Sequence, residues 1–164
     1  MTTSPEQRRL DPDRAFLLAH PAHFLALGFG AGLSPKAPGT AGTLVSFPLF
    51  WLLADTPFYW VWMAAFLAVG VWACGVAGRG LGVHDHGGIV WDEVAAFLLV
   101  LPFAPAGPFG YLLAFALFRL FDIWKPFPIG WLDARVKGGV GVMLDDVLAA
   151  GYSILCLLGA ARWM

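Results

Sequence analysis

Hydrophobic positions run through this chain in long blocks, separated by short polar segments rich in glycine and proline. The block 56–78 holds 23 uncharged residues, enough to cross a bilayer as one helix. The block 41–54 has only 14 and contains Pro48, which predicts a short or kinked helix. Asp55 and Pro57 break the chain between them. Block 15–27 carries His20, Pro21 and His23, a composition that fits a segment lying at the interface better than one crossing it. Blocks 89–101 and 109–121 flank a turn, Pro102-Phe-Ala-Pro-Ala-Gly-Pro108. Each arm reaches ~20 Å as helix, against a hydrocarbon core of ~30 Å. Such arms form a hairpin if the bilayer thins around them or if their polar end is buried in the bundle. The last block, 147–161, is similarly short.

Composition turns this pattern into a class. The chain is 59% hydrophobic and 13% charged, about half the charged fraction of an ordinary soluble domain. Eight tryptophans add the amphipathic side chain enriched at membrane interfaces. The expected fold is all-α: a small polytopic membrane protein of short helical hairpins. A soluble helical bundle with the short arms as its core is the competing reading. Residues 1–14 are expected to form a flexible tail without a secretory signal, and 15–164 a single membrane-embedded domain. A net charge of −1 gives no support to a nucleic-acid partner. Cys74 and Cys156 have neither metal-ligand nor disulfide spacing. Cys156 and Arg162 share the Cys-x5-Arg spacing of thiol phosphatases, but the apolar residues between them favour buried packing.

Charge placement then sets the topology. Lys36, Arg79, Arg119, Lys125, Arg135 and Lys137 fall in segments 34–40, 79–93 and 119–146. Hairpins 41–78 and 94–118 would return all three segments to one face, which the positive-inside tendency makes cytoplasmic. Seven of the eleven acidic residues share those segments: Asp85, Asp92, Glu93, Asp122, Asp133, Asp145 and Asp146. Carboxylates at the edge of apolar sequence repel one another and lose hydration, so they require a cation or basic partners.

Three constellations carry the chemistry. The first is Gly28-Phe-Gly-Ala-Gly-Leu-Ser-Pro-Lys-Ala-Pro-Gly-Thr-Ala-Gly-Thr43. Its glycines permit close backbone approach, Thr40 or Thr43 is placed to cap the next helix, and free amides with Lys36 would suit a phosphate. A plain loop between two membrane-associated helices accounts for it equally well. The second is His84-Asp-His-Gly-Gly-Ile-Val-Trp-Asp-Glu93, in which Asp92 and Glu93 enter the first turn of a short helix. The third is Arg119-Leu-Phe-Asp122-Ile-Trp-Lys125-Pro-Phe-Pro128. Here Arg119 and Asp122 share a helix face and Pro126 ends the helix. Downstream, Asp145 and Asp146 open the last apolar helix. Oxygen-only ligands favour Mg²⁺ over zinc, and nearby Arg and Lys suggest a phosphate. The residues alone leave phosphatase and phosphotransferase open.

The chain resembles the phosphatidylglycerophosphatase A family over about residues 24–153. Four ordered motifs carry the resemblance: Ser34-Pro-x-x-Pro-Gly-Thr-x-Gly-Thr43, Asp85-x-x-x-Ile-Val-x-Asp-Glu93, Arg119-x-x-Asp-x-x-Lys-Pro-x-Pro128 and Met143-Leu-Asp-Asp-Val147. Ala96 and Ala150 depart from glycines in the family pattern without removing a charge. The resemblance implies Mg²⁺-dependent removal of the terminal phosphate of phosphatidylglycerophosphate, giving phosphatidylglycerol at the cytoplasmic face of the bacterial inner membrane. On that basis Asp92, Glu93, Asp145 and Asp146 are the expected metal ligands, with Asp122 as a fifth. Lys36, Thr40, Arg119, Lys125 and Arg135 are the expected substrate contacts. Asp85, Asp92, Glu93 and Asp122 are the expected catalytic carboxylates, Asp85 as base for in-line attack by water. An aspartyl-phosphate intermediate remains an alternative. The expected partner is a phospholipid in the membrane, with a homo-oligomer left open. A non-catalytic cation-binding scaffold or small transport component is the alternative from a different class.

Overall fold

The computed structural model describes residues 11–162, and within them every regular element is helical. Most of the expected tail, residues 1–10, lies outside the described residues. The first helix, α1 (Arg14–Ala19), starts at Asp13, whose carboxylate accepts from the Phe16 amide at 2.7 Å. Pro21 opens α2 (Pro21–Ala26), capped by the His20 ring nitrogen, which accepts from the Ala22 amide at 3.0 Å. The first apolar block is thus two short helices meeting at a proline, and it cannot span.

After tight turns through Gly28–Leu33, α3 (Pro38–Leu53) begins. Neither threonine caps it. Pro38 presets the backbone for the first helical position, so the helix starts ahead of both, with Ala37 as N-cap in the left-handed region. Thr43 instead donates to the Gly39 carbonyl at 2.8 Å inside the helix. The chain continues through α4 (Tyr59–Leu81), α5 (Trp91–Val100), a 3₁₀ turn Leu101–Phe103, α6 (Pro108–Trp124), α7 (Ile129–Asp133) and α8 (Gly138–Ala161).

Two helices, α4 with 23 residues and α8 with 24, are long and apolar enough to cross a membrane. At ~1.5 Å per residue each extends ~35 Å. Full-length spans therefore number two by this test, fewer than a bundle of hairpins implies. The last helix is also longer than its apolar block, because it begins at Gly138 rather than near Val147. Glycine lowers intrinsic helix propensity, but tertiary packing overrides it here. A side chain on Gly139 would run into the Val71 carbonyl of α4, so the glycine lets the two long helices approach closely.

The shortest of the five large helices, α5, lies at the centre. Val94, Phe97, Leu98 and Val100 are all fully buried, and α3, α4, α6 and α8 pack around them. Ser46 of α3 donates to the Val94 carbonyl at 3.0 Å, and Tyr59 of α4 to the Leu98 carbonyl at 2.5 Å. A helix that is apolar all round belongs in such a core. The exterior is apolar too, with Trp51, Trp60, Trp62, Leu112 and Leu155 exposed, as expected of a surface facing lipid. Cys74 is buried as its sequence implies, but Cys156 is exposed, because Ser153 and Leu157 take the inward face of α8.

Candidate functional site

The starts of α3 and α5 and the end of α6 converge at one end of the bundle, where Gly39, Glu93 and Arg119 are neighbours. The entry to α5 is fixed by two bonds. The Val90 amide donates to the Ala26 carbonyl at 2.8 Å, and the Trp91 indole to the Phe66 carbonyl at 3.0 Å. Asp92 and Glu93 follow in the first helical turn, where carboxylates interact favourably with the helix dipole. Asp146 joins them from α8. One ligand oxygen from each of Asp92, Glu93 and Asp146 lies within 4.8 Å of the others.

These groups are deeply buried: Asp92 is 7% exposed and Asp146 2%. Asp92 Oδ1, Glu93 Oε2 and Asp146 Oδ2 have no hydrogen-bond partner. Three converging carboxylates with orphaned buried oxygens are costly unless a cation joins them. An all-oxygen donor set at this spacing suits a hard divalent ion such as Mg²⁺, so the residues fit the metal that the sequence implies.

The second acidic pair is divided. Adjacent helical residues point about 100° apart, and Asp145 and Asp146 sit in mid-helix rather than at its opening. Asp146 turns to the cluster, whereas Asp145 meets Lys125 Nζ at 2.5 Å. Lys125 also pairs with Asp133 at 3.1 Å. Burial acts to lower the pKa of the Lys125 ammonium, but hydrogen bonding and attraction from Asp145 and Asp133 outweigh it and leave it raised. Lys125 therefore stays charged and committed to its carboxylates. Among the expected ligands, Asp145 is held by lysine and Asp122 is in ion-pair contact with Arg119.

Arg119 closes the other side. Its Nη1 touches Asp122 and stands 3.5 Å from Glu93 Oε1, yet neither contact is aligned as a hydrogen bond, and Nε also lacks a partner. A buried guanidinium with unspent N–H groups beside a carboxylate cluster is a ready oxyanion receptor. The α3 N-terminus adjoins it. Sequence reasoning did not single out Gly39, although any side chain there would collide with Glu93 Oε1. The close backbone approach ascribed to the Gly-rich segment was its signal. Asp133, noted only as a nearby acid, proves to be the second partner of Lys125.

The remaining expected residues make no hydrogen bond or ion pair with the cluster among the described residues. Asp85 is exposed in the loop 82–90, in a cleft with His84 and His86. Lys36 is exposed ahead of α3, and Thr40 is half-buried in its first turn. Arg135 stacks over the Trp131 ring at 4.1 Å and makes no ion pair among the described residues. The histidines serve local structure: His84 meets Lys137 Nζ at 3.1 Å, and His86 accepts from the Gly88 amide at 3.0 Å.

A family profile described as Phosphatidylglycerophosphatase A matches residues 24–161. A protein named Phosphatidylglycerophosphatase A from Escherichia coli (strain K12) is 39% identical over 164 residues, covering 97% of this chain and 95% of the relative. Its namesake from Haemophilus influenzae is 42% identical over 159 residues, covering 94% and 97%. A relative from Bacteroides thetaiotaomicron is 40% identical over 150 residues, covering 85% and 92%, and carries the provisional name of a phosphatidylinositol-3-phosphatase. No solved structure gives a significant match.

Proposed function

The chain belongs to the phosphatidylglycerophosphatase A family, and from that premise we propose that it hydrolyses phosphatidylglycerophosphate to phosphatidylglycerol and phosphate in a Mg²⁺-dependent step of phospholipid synthesis. The observation that carries this reading is the buried triad Asp92, Glu93 and Asp146 with unpartnered oxygens, facing Arg119 with unspent donors. The scaffold or transport alternative finds no counterpart among these relatives, which are phosphatases by name.

Asp92, Glu93 and Asp146 would hold Mg²⁺, whose charge would be shared with the phosphoryl oxygens as a Lewis acid. Arg119 would bind those oxygens through its guanidinium, and the first amides of α3 add the positive end of its dipole. Lys36, exposed ahead of α3, adds positive charge that attracts the phosphomonoester. Water attacks phosphorus in line as the bond to the glycerol oxygen breaks. That oxygen leaves with the bonding electrons and takes up a proton, and the attacking water gives one up, so the net transfer is from water to the glycerol oxygen. Asp122 holds Arg119 in place. Lys125 keeps Asp145 neutralised, so that only Asp146 of the pair adds charge to the cluster. The segments rich in Lys and Arg, together with α4 and α8, support a bacterial inner-membrane protein with this end in the cytoplasm.

Two linked measurements test this reading. Glu93→Gln is expected to lower turnover on the order of a hundredfold while the far-ultraviolet dichroism of the helices is unchanged; wild-type turnover would remove Glu93 from the site. Mg²⁺ at a hundredfold excess over its Kd is expected to stabilise the wild-type protein by about 2.7 kcal/mol. The same addition to Asp92→Asn should give little shift, and an equal shift would place the ion elsewhere.

A further inference from the structure

The helices that meet at the polar site also enclose a groove below it. Its walls are α3 and α6, which meet through the rings of Phe47 and Phe50 against Tyr111, and Phe97 of α5 packs behind them against Phe47 and Phe115. Leu44, Phe47 and Trp51 line one side and Tyr111, Leu112 and Phe115 the other, around about 600 Å³ of almost wholly apolar space. Phe47 packs edge-on to both Phe97 and Tyr111, with ring centroids 5.5 and 6.0 Å apart.

We propose that this groove seats an acyl chain of the phospholipid whose phosphate lies at the acidic cluster. Register carries the inference. Residues four apart share a helix face. In α3 and α6 that spacing leads from the polar site into the groove, and in α5 it leads to the ring packed behind the groove walls. On α5 it runs from Glu93 to Phe97, on α6 from Arg119 through Phe115 to Tyr111, and on α3 from Gly39 through Thr43 to Phe47. The groove starts about one helical turn, ~6 Å, from the phosphate donors. A lipid anchored by its phosphate therefore finds an apolar slot directly beneath. A second copy of this chain fits less well. Helix pairs in membranes approach through small residues, whereas Phe47, Trp51 and Tyr111 hold a helix axis away and leave room for a narrow chain.

This inference rests on the lipid-phosphatase reading, and two experiments separate their failures. The wild-type protein would be irradiated with phosphatidylglycerophosphate carrying a diazirine in the first half of one acyl chain, and the labelled peptides mapped. Label concentrated in 44–51 and 111–115 is expected. Label spread over the outer faces of α4 and α8, or links joining the grooves of two copies, would overturn the acyl seat. In parallel, kinetics on long-chain and dibutyryl substrates would be compared for wild type, Leu44→Trp/Leu112→Trp and Leu155→Trp. Filling the groove is expected to raise KM for the long-chain lipid about tenfold, leaving kcat and the dibutyryl KM near wild type. Leu155→Trp, on the exposed outer face of α8, should match wild type throughout. An unchanged long-chain KM in the groove variant also refutes the seat. Absence of phosphate release from wild type with either substrate would instead remove the phosphatase reading.

Discussion

At Lys125, one ammonium holds two carboxylates, Asp133 at 3.1 Å and Asp145 at 2.5 Å. Replacing it with alanine strands Asp145, which is only 5% exposed. Fully buried pairs lose ~3–5 kcal/mol when one partner goes; here Lys125 is about a quarter exposed, so screening reduces the expected loss to ~2 kcal/mol. Thermal unfolding in detergent should show it, and Lys125→Met with Asp145→Leu should restore most of the midpoint. An unchanged midpoint in Lys125→Ala would make the pair incidental. Gly39 sets a different constraint, since a methyl group there meets Glu93 Oε1. Gly39→Ala is expected to reduce turnover and Mg²⁺-induced stabilisation together, while the metal-free midpoint moves little. Both acidic pairs were legible in the sequence because adjacent carboxylates flanked by apolar residues are costly without a cation or basic partners. Their division was not. It depends on where the left-handed C-cap of α6 places Lys125 and on which face of α8 each aspartate occupies.

Among the elements, α5 and α8 show where pattern reading works and where it stops. The short arm from 89 to 101 was recognisable from its apolar run and bounding turns, and its burial on every side follows from its lack of a polar face. The start of α8 was hidden by Gly138-Gly-Val-Gly-Val, which reads as loop by propensity alone. Only contact with α4 explains why glycine is helical there. Gly139→Leu is accordingly expected to destabilise the bundle by ~1–3 kcal/mol as an overpacked interface. The same change at Gly159, which has open space around it, should have a much smaller effect on the unfolding midpoint. Equal effects would mean that the α4–α8 approach is not the reason for the glycine. The groove between α3 and α6 was beyond sequence reading for a related reason. It lies between two helices whose facing positions carry large rings, Phe47 and Phe50 against Tyr111, and no local pattern records how such rings meet across the bundle.

Over the whole molecule, apolar exterior and polar site occupy different regions. Exposed Trp51, Trp60, Trp62, Leu112 and Leu155 face outward, while carboxylates, Arg119 and Lys125 gather at the end where α5 begins. Detergent-free lysis should leave the protein in the membrane fraction; recovery in the supernatant would restore the soluble-bundle alternative. A thiol at Ala134 in a Cys156→Ser background should react with an impermeant maleimide in inside-out vesicles and not in intact spheroplasts. The reverse would invert the cytoplasmic orientation. Neither result bears as directly on function as phosphate release from phosphatidylglycerophosphate in detergent micelles, measured with Mg²⁺ and with excess chelator. Release that requires Mg²⁺ and is lost in both Asp92→Asn and Asp146→Asn is the expected result. Equal release in chelator, or full activity in either folded variant, would contradict a metal held between α5 and α8.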